Sequence, residues 1–323
     1  MPIPAAFRGQ FTVPALAAPM FLVSGPELVI AACCNGIGGT FPALNARPAS
    51  QFDEWLGRIE TALAARRATH PRTPVAPYGV NLIVHPSNGR MAEDLDIIVR
   101  HRVPLVISSL GHPGPVVEAV HGYGGLVFAD VIHAHHARRA AEAGVDGIIA
   151  IAAGAGGHAG TQSAFSLVQE VRAFWSGCLV LGGAISDGAG IRAAEILGAD
   201  LAYLGTRFIA TREAAASEGY KAMIVASGAR DVVYTDAVSG TPANFLWPSL
   251  EQAGYTRDAL RASEGKAHLK SIADEAKAWR DTWSAGHGVA VIDDVPTVDA
   301  LAKRLAEEYR AACAHGISAA VVA

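Results

Sequence analysis

The feature that most constrains the fold is an alternation of short apolar runs with longer amphipathic stretches, repeated about eight times along the chain. Apolar runs that end at Gly or Pro are typical of parallel strands buried on both faces, and amphipathic stretches are typical of the helices that cover them. We predict strands at 16–19, 38–41, 79–84, 105–109, 125–128, 147–151, 179–181 and 201–204. We predict helices at 26–34, 52–66, 133–143, 164–175 and 189–197.

Eight strand-helix units predict an α/β fold, a (β/α)₈ TIM barrel with a C-terminal helical insertion or lid. Gly144 and Gly198 each follow a predicted helix and precede a predicted strand, as left-handed helix caps do. We expect residues 1–230 to form the barrel core, 231–287 an inserted lid or helical cap, and 288–323 a strand and helix that pack back on the barrel. Thr297 is the predicted N-cap of a final helix at 298–314.

The composition excludes several classes of function. Hydrophobic residues make up 51% and charged residues 17%, so the chain can bury a large core, and a formal net charge of -4 without long charge runs gives no footprint for nucleic acid. Neither a signal peptide nor an apolar stretch of about 18 residues stands out, so we expect a cytoplasmic protein that does not enter the membrane. The four cysteines lack C-x-x-C spacing and are expected to be buried, reduced thiols.

A glycine-rich loop around His158 is the densest candidate for chemistry. Gly154, Gly156, Gly157 and Gly160 remove side-chain bulk where a planar ligand could approach the backbone, and they leave one titratable imidazole after the predicted sixth strand. The alternative is a flexible loop whose histidine is merely solvated. The same loop formally fits a dinucleotide fingerprint, but it lies in mid-chain and does not open a helix directly, which argues against that interpretation.

Two further loops predict a phosphate site. Gly182 and Gly183 follow the predicted seventh strand, and Gly205 and Thr206 follow the eighth. The loops after strands seven and eight form the phosphate site of many barrels, where glycine N–H groups and a helix N-terminus hold the phosphate. The alternative is that these glycines only allow tight turns.

The first and third strand ends carry candidates for an apolar shelf under a flavin ring. Ala18, Pro19 and Met20 end the first strand, and Asn81 could bond the polar edge of the ring. Taken separately, Met20 is an ordinary core residue and Asn81 an ordinary turn residue. The histidines at 133, 135 and 136 have no acidic partner at metal-ligand spacing, so we predict no metal site there.

As a set, these motifs resemble the nitronate monooxygenases, formerly called 2-nitropropane dioxygenases, over nearly the whole chain. The resemblance lies in Ala18-Pro19-Met20, Gly79-Val80-Asn81-Leu82, AGGHAG at 155–160, GAISDG at 183–188, ADLAYLGTRF at 199–208 and WSAGHG at 283–288. It implies a non-covalent FMN whose phosphate is held by Gly182, Gly183, Gly205 and Thr206 and whose ring is lined by Met20 and Asn81. His158 matches the catalytic histidine of the family.

The chain also departs from the family pattern. Many relatives carry Gln and Glu where Ile151 and Gly154 stand, and Gln where His287 stands. These departures leave the substrate preference open and place a second imidazole near the predicted site. We treat His287 as a structural variant unless it faces the flavin.

The resemblance implies oxidation of an alkyl nitronate, or a nitroalkane, by FMN and O₂ to a carbonyl compound and nitrite. His158, with an ordinary pKa near 6.5, would hydrogen-bond the nitro oxygens or remove the α-proton of a neutral nitroalkane. One alternative is an NAD(P)H-dependent flavin reductase for quinones or enoyl thioesters. Another is a non-catalytic protein that binds a flavin or another phosphate ligand. The sequence leaves a homo-oligomer open.

Overall fold

Eight parallel strands close into a barrel in a computed structural model of the chain, which describes residues 3–263, 280 and 282–315. The barrel strands are β1 (Ala15–Ala17), β2 (Gly38–Pro42), β3 (Tyr78–Ile83), β4 (Leu105–Ser109), β5 (Leu126–Val131), β6 (Gly147–Ile151), β8 (Cys178–Gly182) and β9 (Leu201–Leu204). Each strand pairs with its neighbours in order, and β9 closes on β1 through Leu16 and Tyr203. The predicted TIM barrel is confirmed, and all eight predicted strands are present with ends shifted by a few residues.

Helices cover the barrel between the strands. They are α1 (Pro26–Cys34), α2 (Ala49–Thr69), α3 (Met91–His101), α4 (Gly114–His121), α5 (Ala134–Glu142), α6 (Ala164–Arg172), α7 (Gly188–Leu197), α8 (Thr206–Ile209), α9 (Glu218–Ala226), α10 (Trp247–Gln252), α11 (Arg257–Ser263) and α12 (Val298–Ala314). Short 3-10 turns lie at Ala5–Phe7, Ala43–Asn45, Ala229–Asp231 and His287–Val291.

Helix ends follow the predicted capping chemistry. Gly144 and Gly198 have φ values of 84° and 114°, in the left-handed region that favours glycine after a helix. The Thr297 hydroxyl accepts the backbone N–H of Ala300 at 3.2 Å, so it caps α12 as predicted. These local signals fix where each helix ends and the next strand begins.

Two layers of apolar side chains hold the barrel together. Inside the barrel, Leu105, Ile107, Phe128 and Ile149 are fully buried, and Phe7 of the N-terminal turn packs against the same cluster. A larger cluster fills the space between the strands and the surrounding helices. A filled interior leaves ligands only the rim of the barrel, at the loops that follow the strands.

The segment after α9 adds strands as well as helices. Strands β10 (Val232–Thr235) and β11 (Ala243–Leu246) form an antiparallel pair, and β11 also pairs with the short strand β7 (Gly157–His158). The segment has a small apolar cluster of its own around Phe245 and Leu250. The two strands were not predicted, and residues 264–279, 281 and 316–323 of the expected C-terminal units lie outside the described residues.

The C-terminal helix α12 is tied to the barrel by ion pairs. Asp294, just before α12, accepts from Arg207 at 3.2 Å and from Arg304 at 2.5 Å. Arg207 is 2% exposed, so the partly exposed carboxylate compensates a buried cation.

The described cysteines are all unpaired, but only Cys33 and Cys178 are buried. Cys34 is half-buried and Cys313 lies exposed on α12, so the prediction of four buried thiols is wrong for these two. Within the ranges that the structure describes, no helix combines the length and apolar character of a membrane span.

Candidate active site

A cavity of about 700 Å³ opens at the carboxyl ends of the barrel strands. This volume lies in the usual range for sites that bind cofactors and small substrates. The eleven residues singled out from the sequence all line it: Ala18, Pro19, Met20, Asn81, Gly156, Gly157, His158, Gly182, Gly183, Gly205 and Thr206. Residues as distant in sequence as Ala18 and Thr206 therefore line the same cavity.

A chain of hydrogen bonds crosses one side of the cavity at the ends of β3, β4 and β5. The Asn81 amide Nδ2 donates to the Ser109 hydroxyl at 2.5 Å and to the Ile107 carbonyl at 3.2 Å. The Ser109 hydroxyl donates in turn to Asp130 Oδ2 at 2.5 Å. Because three adjacent strands supply these groups, sheet register fixes their relative positions.

Asp130 is the only acidic residue among those that line the cavity in the described chain. Its second oxygen, Oδ1, is buried and has no hydrogen-bond partner within residues 3–263 and 282–315. Burial raises the pKa of Asp130 to about 6, and the hydrogen bond from Ser109 offsets only part of that rise. The carboxyl group therefore holds its proton more tightly than an ordinary aspartate.

The loop that carries His158 is held in place from outside the barrel. Strand β7, with His158, pairs with Ala243 of β11. The Asn244 amide donates to the Ala155 carbonyl at 2.6 Å, and the Gly157 N–H donates to the Ser284 hydroxyl at 2.6 Å. These bonds give a glycine-rich loop a defined position, which a solvated, flexible loop would lack.

Glycines in this loop are required by close backbone contacts with the segment that contains Gly286. A Cβ added to Gly156 would lie 2.8 Å from the Gly286 nitrogen, and one added to Gly286 would lie 2.4 Å from the Gly154 carbonyl oxygen. Side chains at these positions would force the two segments apart. His287 is exposed and does not line the cavity, so the sequence departure there supplies no second imidazole to the site.

The electrostatic state of His158 differs from the one expected from the sequence. Burial lowers the pKa of His158 to about 4, because the imidazolium form loses its hydration in the cavity wall. The expectation of an ordinary pKa near 6.5 is wrong for this environment. The ring is therefore neutral throughout the physiological pH range, with one nitrogen able to donate and the other able to accept.

The other side of the cavity presents backbone instead of side chains. In the described chain, the backbone N–H groups of Gly183, Ala184, Gly205 and Thr206 donate no hydrogen bond to any protein acceptor. Gly183 and Ala184 have φ values of 135° and 55°, in the region that side chains disfavour. Ser186, in the same loop, is 5% exposed, and its hydroxyl has no partner among the described residues.

Such a set of unused donors fits an oxyanion such as a phosphate, which accepts several hydrogen bonds at once. The Thr206 hydroxyl oxygen already accepts the Gly286 N–H at 2.9 Å, and its hydrogen remains free to donate. The flanking helix behaves differently, because Asp187 and Glu308 already accept the N–H groups of Gly190 and Gly188 at the start of α7. Its N-terminus therefore contributes no free donor from these two residues.

Basic and apolar side chains surround the mouth of the cavity. His112, His136 and Arg139 line it there, and Arg139 is exposed. Leu110 and Ile132, which also line it, are 47% and 36% exposed. The mouth thus combines positive charge with apolar surface, which suits an organic anion.

The sequence did not single out Ser109 or Asp130, and it indicated Ser186 only as part of the GAISDG motif. Ser109 and Asp130 each end a predicted strand or extend it by two residues, and the rule that barrel chemistry follows the strand ends could have found them. Arg207 directly follows the predicted phosphate loop, but its guanidinium donates to the Ala210 and Asp294 carbonyls and does not line the cavity. Its role in the described chain is to hold α8 and the segment before α12 together.

Comparison with known proteins shows that the sequence is similar to nitronate monooxygenases. The protein-family model for nitronate monooxygenases matches residues 60–308. A nitronate monooxygenase of Neurospora crassa is 29% identical, over 91% of this chain and 88% of the relative.

The chain is also similar in sequence to a carboxyl-CoA dehydrogenase and similar in fold to a nitroalkane oxidase. A (3aS,4S,5R,7aS)-5-hydroxy-7a-methyl-1-oxo-octahydro-1H-indene-4-carboxyl-CoA dehydrogenase of Rhodococcus jostii is 26% identical, over 80% of this chain and 70% of the relative. The crystal structure of nitroalkane oxidase from Streptomyces ansochromogenes superposes with a TM-score of 0.77 over 94% of this chain and 97% of that one. At 24% identity, the latter likeness shows a shared fold.

Proposed function

Because the chain belongs to the nitronate monooxygenase family, we propose that it is an FMN-dependent oxidoreductase that uses O₂ to convert alkyl nitronates to carbonyl compounds and nitrite. The observation that carries this proposal is the convergence of His158, the free N–H groups of the glycine loops and the apolar first strand end on one cavity. Family membership alone would leave the reacting residues open.

The residues of the cavity suit FMN. The free N–H groups after β8 and β9 would hold its phosphate, together with the unpartnered Ser186 hydroxyl. Ala18, Pro19 and Met20 provide an apolar shelf for the ring, and Gly156 and Gly157 leave room beside it. When bound, the flavin supplies the redox chemistry between the nitronate and O₂, while the protein supplies binding and orientation.

His158 would position the substrate in this scheme. A neutral imidazole can donate a hydrogen bond to a nitro oxygen of the bound anion, and a pKa of about 4 makes the same ring a weak base. The proposal therefore favours nitronates, which are already deprotonated, over neutral nitroalkanes that need a base. Arg139 at the mouth would attract the anion.

The test is steady-state turnover of the FMN-reconstituted protein, with O₂ consumption and nitrite release measured for matched nitronate and nitroalkane solutions. We expect O₂ consumption and nitrite release with nitronates, and much slower turnover with the neutral nitroalkanes. A protein that binds FMN but neither consumes O₂ nor releases nitrite with a panel of nitronates would contradict the proposal.

A second candidate is a flavin-dependent oxidoreductase of acyl-CoA thioesters. It is favoured by the similarity to the carboxyl-CoA dehydrogenase of Rhodococcus jostii and by the basic mouth, which would suit the phosphates of CoA. Anaerobic mixing separates the candidates. Bleaching of the flavin by NADH, NADPH or an acyl-CoA, without bleaching by nitronates, would favour this second function.

A further inference from the structure

The buried carboxyl group of Asp130 has no assigned part in the chemistry described above. It lies in the cavity wall at the end of β5, next to Asn81 and Ser109, which are 8% and 9% exposed. Asp130 lines the cavity, so a group bound there would lie beside this side chain.

No cation among the described residues compensates Asp130. Ser109 donates to Oδ2, and Oδ1 is buried without a partner in the described chain. An ionised carboxylate in such a place loses most of its hydration and gains one hydrogen bond in return, which favours the neutral acid. The direction of its pKa shift, to about 6, agrees with this geometry.

The neighbouring titratable groups reinforce this state. The other titratable residues that line the cavity in the described chain are His112, His136, Arg139, His158, Tyr203, Tyr220 and Tyr234. Burial raises the pKa of Tyr203 well above its usual range, and the negative charge of Asp130 adds to that rise, so the phenol stays neutral. Burial also lowers the pKa of His136 and of His158, so neither ring supplies a stable positive charge near neutral pH.

We propose that Asp130 is a ligand-binding residue that keeps its proton and donates a hydrogen bond to an acceptor atom of the ring system bound in this cavity. A neutral carboxylic acid can donate one hydrogen bond, which an aspartate anion cannot. The acceptor would be a carbonyl oxygen or ring nitrogen of the flavin, so the proposal rests on the proposed cofactor. Ser109, oriented by Asn81, is its positioning residue.

The test compares flavin binding by the wild-type protein, Asp130→Asn and Asp130→Ala, with Asp299→Asn as an exposed control on α12. The dissociation constant for oxidised FMN is measured by fluorescence quenching from pH 6 to pH 8. If only the acid form binds well, the wild-type constant rises up to about tenfold per pH unit above the pKa, relative to Asp130→Asn. The amide is a permanent donor, so Asp130→Asn should bind tightly without this dependence, whereas Asp130→Ala should bind weakly at every pH.

Calorimetry in buffers of different ionisation enthalpy gives a second readout that a purely structural role would not change. At pH 7.5 the wild-type protein should take up more protons on binding FMN than Asp130→Asn does, by up to one. Circular dichroism checks that each variant is folded. Equal pH profiles and equal proton uptake in wild type and Asp130→Asn would overturn the proposal, while failure of all the proteins to bind FMN would instead overturn the proposed function.

Discussion

The two sides of the cavity are built in different ways. On the carboxyl side, at the ends of β3 to β5, the side chains of Asn81, Ser109 and Asp130 form a hydrogen-bonded series. On the glycine side, at the ends of β8 and β9, Gly183 and Gly205 expose backbone N–H groups without side-chain bulk. The contrast indicates that one side is suited to a polar ring edge and the other to a compact anion.

Each side also leaves polar groups without hydrogen-bond partners when no ligand is bound. The glycine side leaves N–H donors and the Ser186 hydroxyl unused, and the carboxyl side buries an uncompensated carboxyl group. The buried Ser186 hydroxyl and the buried Asp130 oxygen are unfavourable without a ligand, since buried polar groups are normally paired. Binding of one ligand across both sides would relieve them together.

The largest expected effect is on the glycine side. Gly183→Ala would place a Cβ 3.1 Å from the Ala153 carbonyl oxygen, at a φ of 135°. Backbone strain of about 1 to 3 kcal/mol and the loss of a charge-assisted hydrogen bond of about 1.5 to 3 kcal/mol should weaken FMN binding about 100-fold. Riboflavin, which lacks the phosphate, should lose much less affinity in equilibrium titrations.

Gly57→Ala is the matched control for this comparison, because a Cβ there meets nothing within 4 Å on α2. It should bind both flavins like the wild type. A Gly183→Ala protein that loses FMN and riboflavin affinity to the same extent would show that this loop does not recognise the phosphate.

The next effect concerns His158, which belongs to neither side. His158→Ala should retain FMN and lower turnover of nitronates about 100-fold, as expected for a positioned hydrogen-bonding or proton-transfer group. The activity of the wild-type enzyme should show no ionisation of His158 near pH 6.5, because its pKa lies at about 4. Nearly unchanged nitronate kinetics in the variant would remove His158 from the mechanism.

The carboxyl side makes a prediction about stability. An aspartate with a folded pKa of about 6, against about 3.9 unfolded, contributes nothing unfavourable below pH 4 and destabilises the folded state as the pH rises through 6. Asp130→Asn should therefore raise the unfolding free energy of the empty protein by about 3 kcal/mol at pH 8 and leave it nearly unchanged at pH 4. Urea unfolding at the two pH values measures this, and a gain of equal size at both would contradict the assigned burial.

The smallest effect lies at the mouth, away from both sides. Arg139→Ala should lower kcat/KM for nitronates several-fold, because an exposed cation gives only a screened attraction. The loss should shrink as salt is added. Arg138→Ala is the control, since Arg138 lies over the Phe174 ring at 4.0 Å and does not line the cavity. Equal losses in the two variants would argue against a specific role for Arg139.

The two sides of the cavity also differ in how much of each could be predicted from the sequence. The glycine side was predictable, because glycine is needed wherever backbone must approach a ligand or adopt positive φ, and such runs are visible in the chain. The strand-end rule could have indicated the position of Asp130, but the sequence does not reveal that its carboxyl group is buried, because that burial depends on the packing of β5 between β4 and β6. The low pKa of His158 likewise depends on β11 and the segment at 284–286, which are distant in sequence.

The segment that follows the barrel contacts the loop that carries His158. We propose that the described part of the segment 231–287 acts as a cover, because β11 pairs with the His158 strand and the Tyr234 hydroxyl donates to the Ala159 carbonyl at 3.1 Å. The inserted lid or helical cap is expected from the sequence because the strand-helix regularity breaks after Thr211 and the region that follows is richer in Pro, aromatic and charged residues. Strand β11 pairs with β10 and with β7, and the pairing of Ala243 with His158 joins residues about 85 positions apart, which local sequence patterns cannot reveal.

The central claim is that one flavin spans both sides of the cavity with its phosphate on the glycine side. The most direct measurement is a paired titration of the wild-type protein, stripped of ligand, with FMN and with riboflavin. We predict one FMN per chain and an affinity for FMN at least about tenfold greater than for riboflavin, the contribution of one or more charge-assisted hydrogen bonds. Absence of FMN binding, or equal affinities for the two flavins, would contradict the claim.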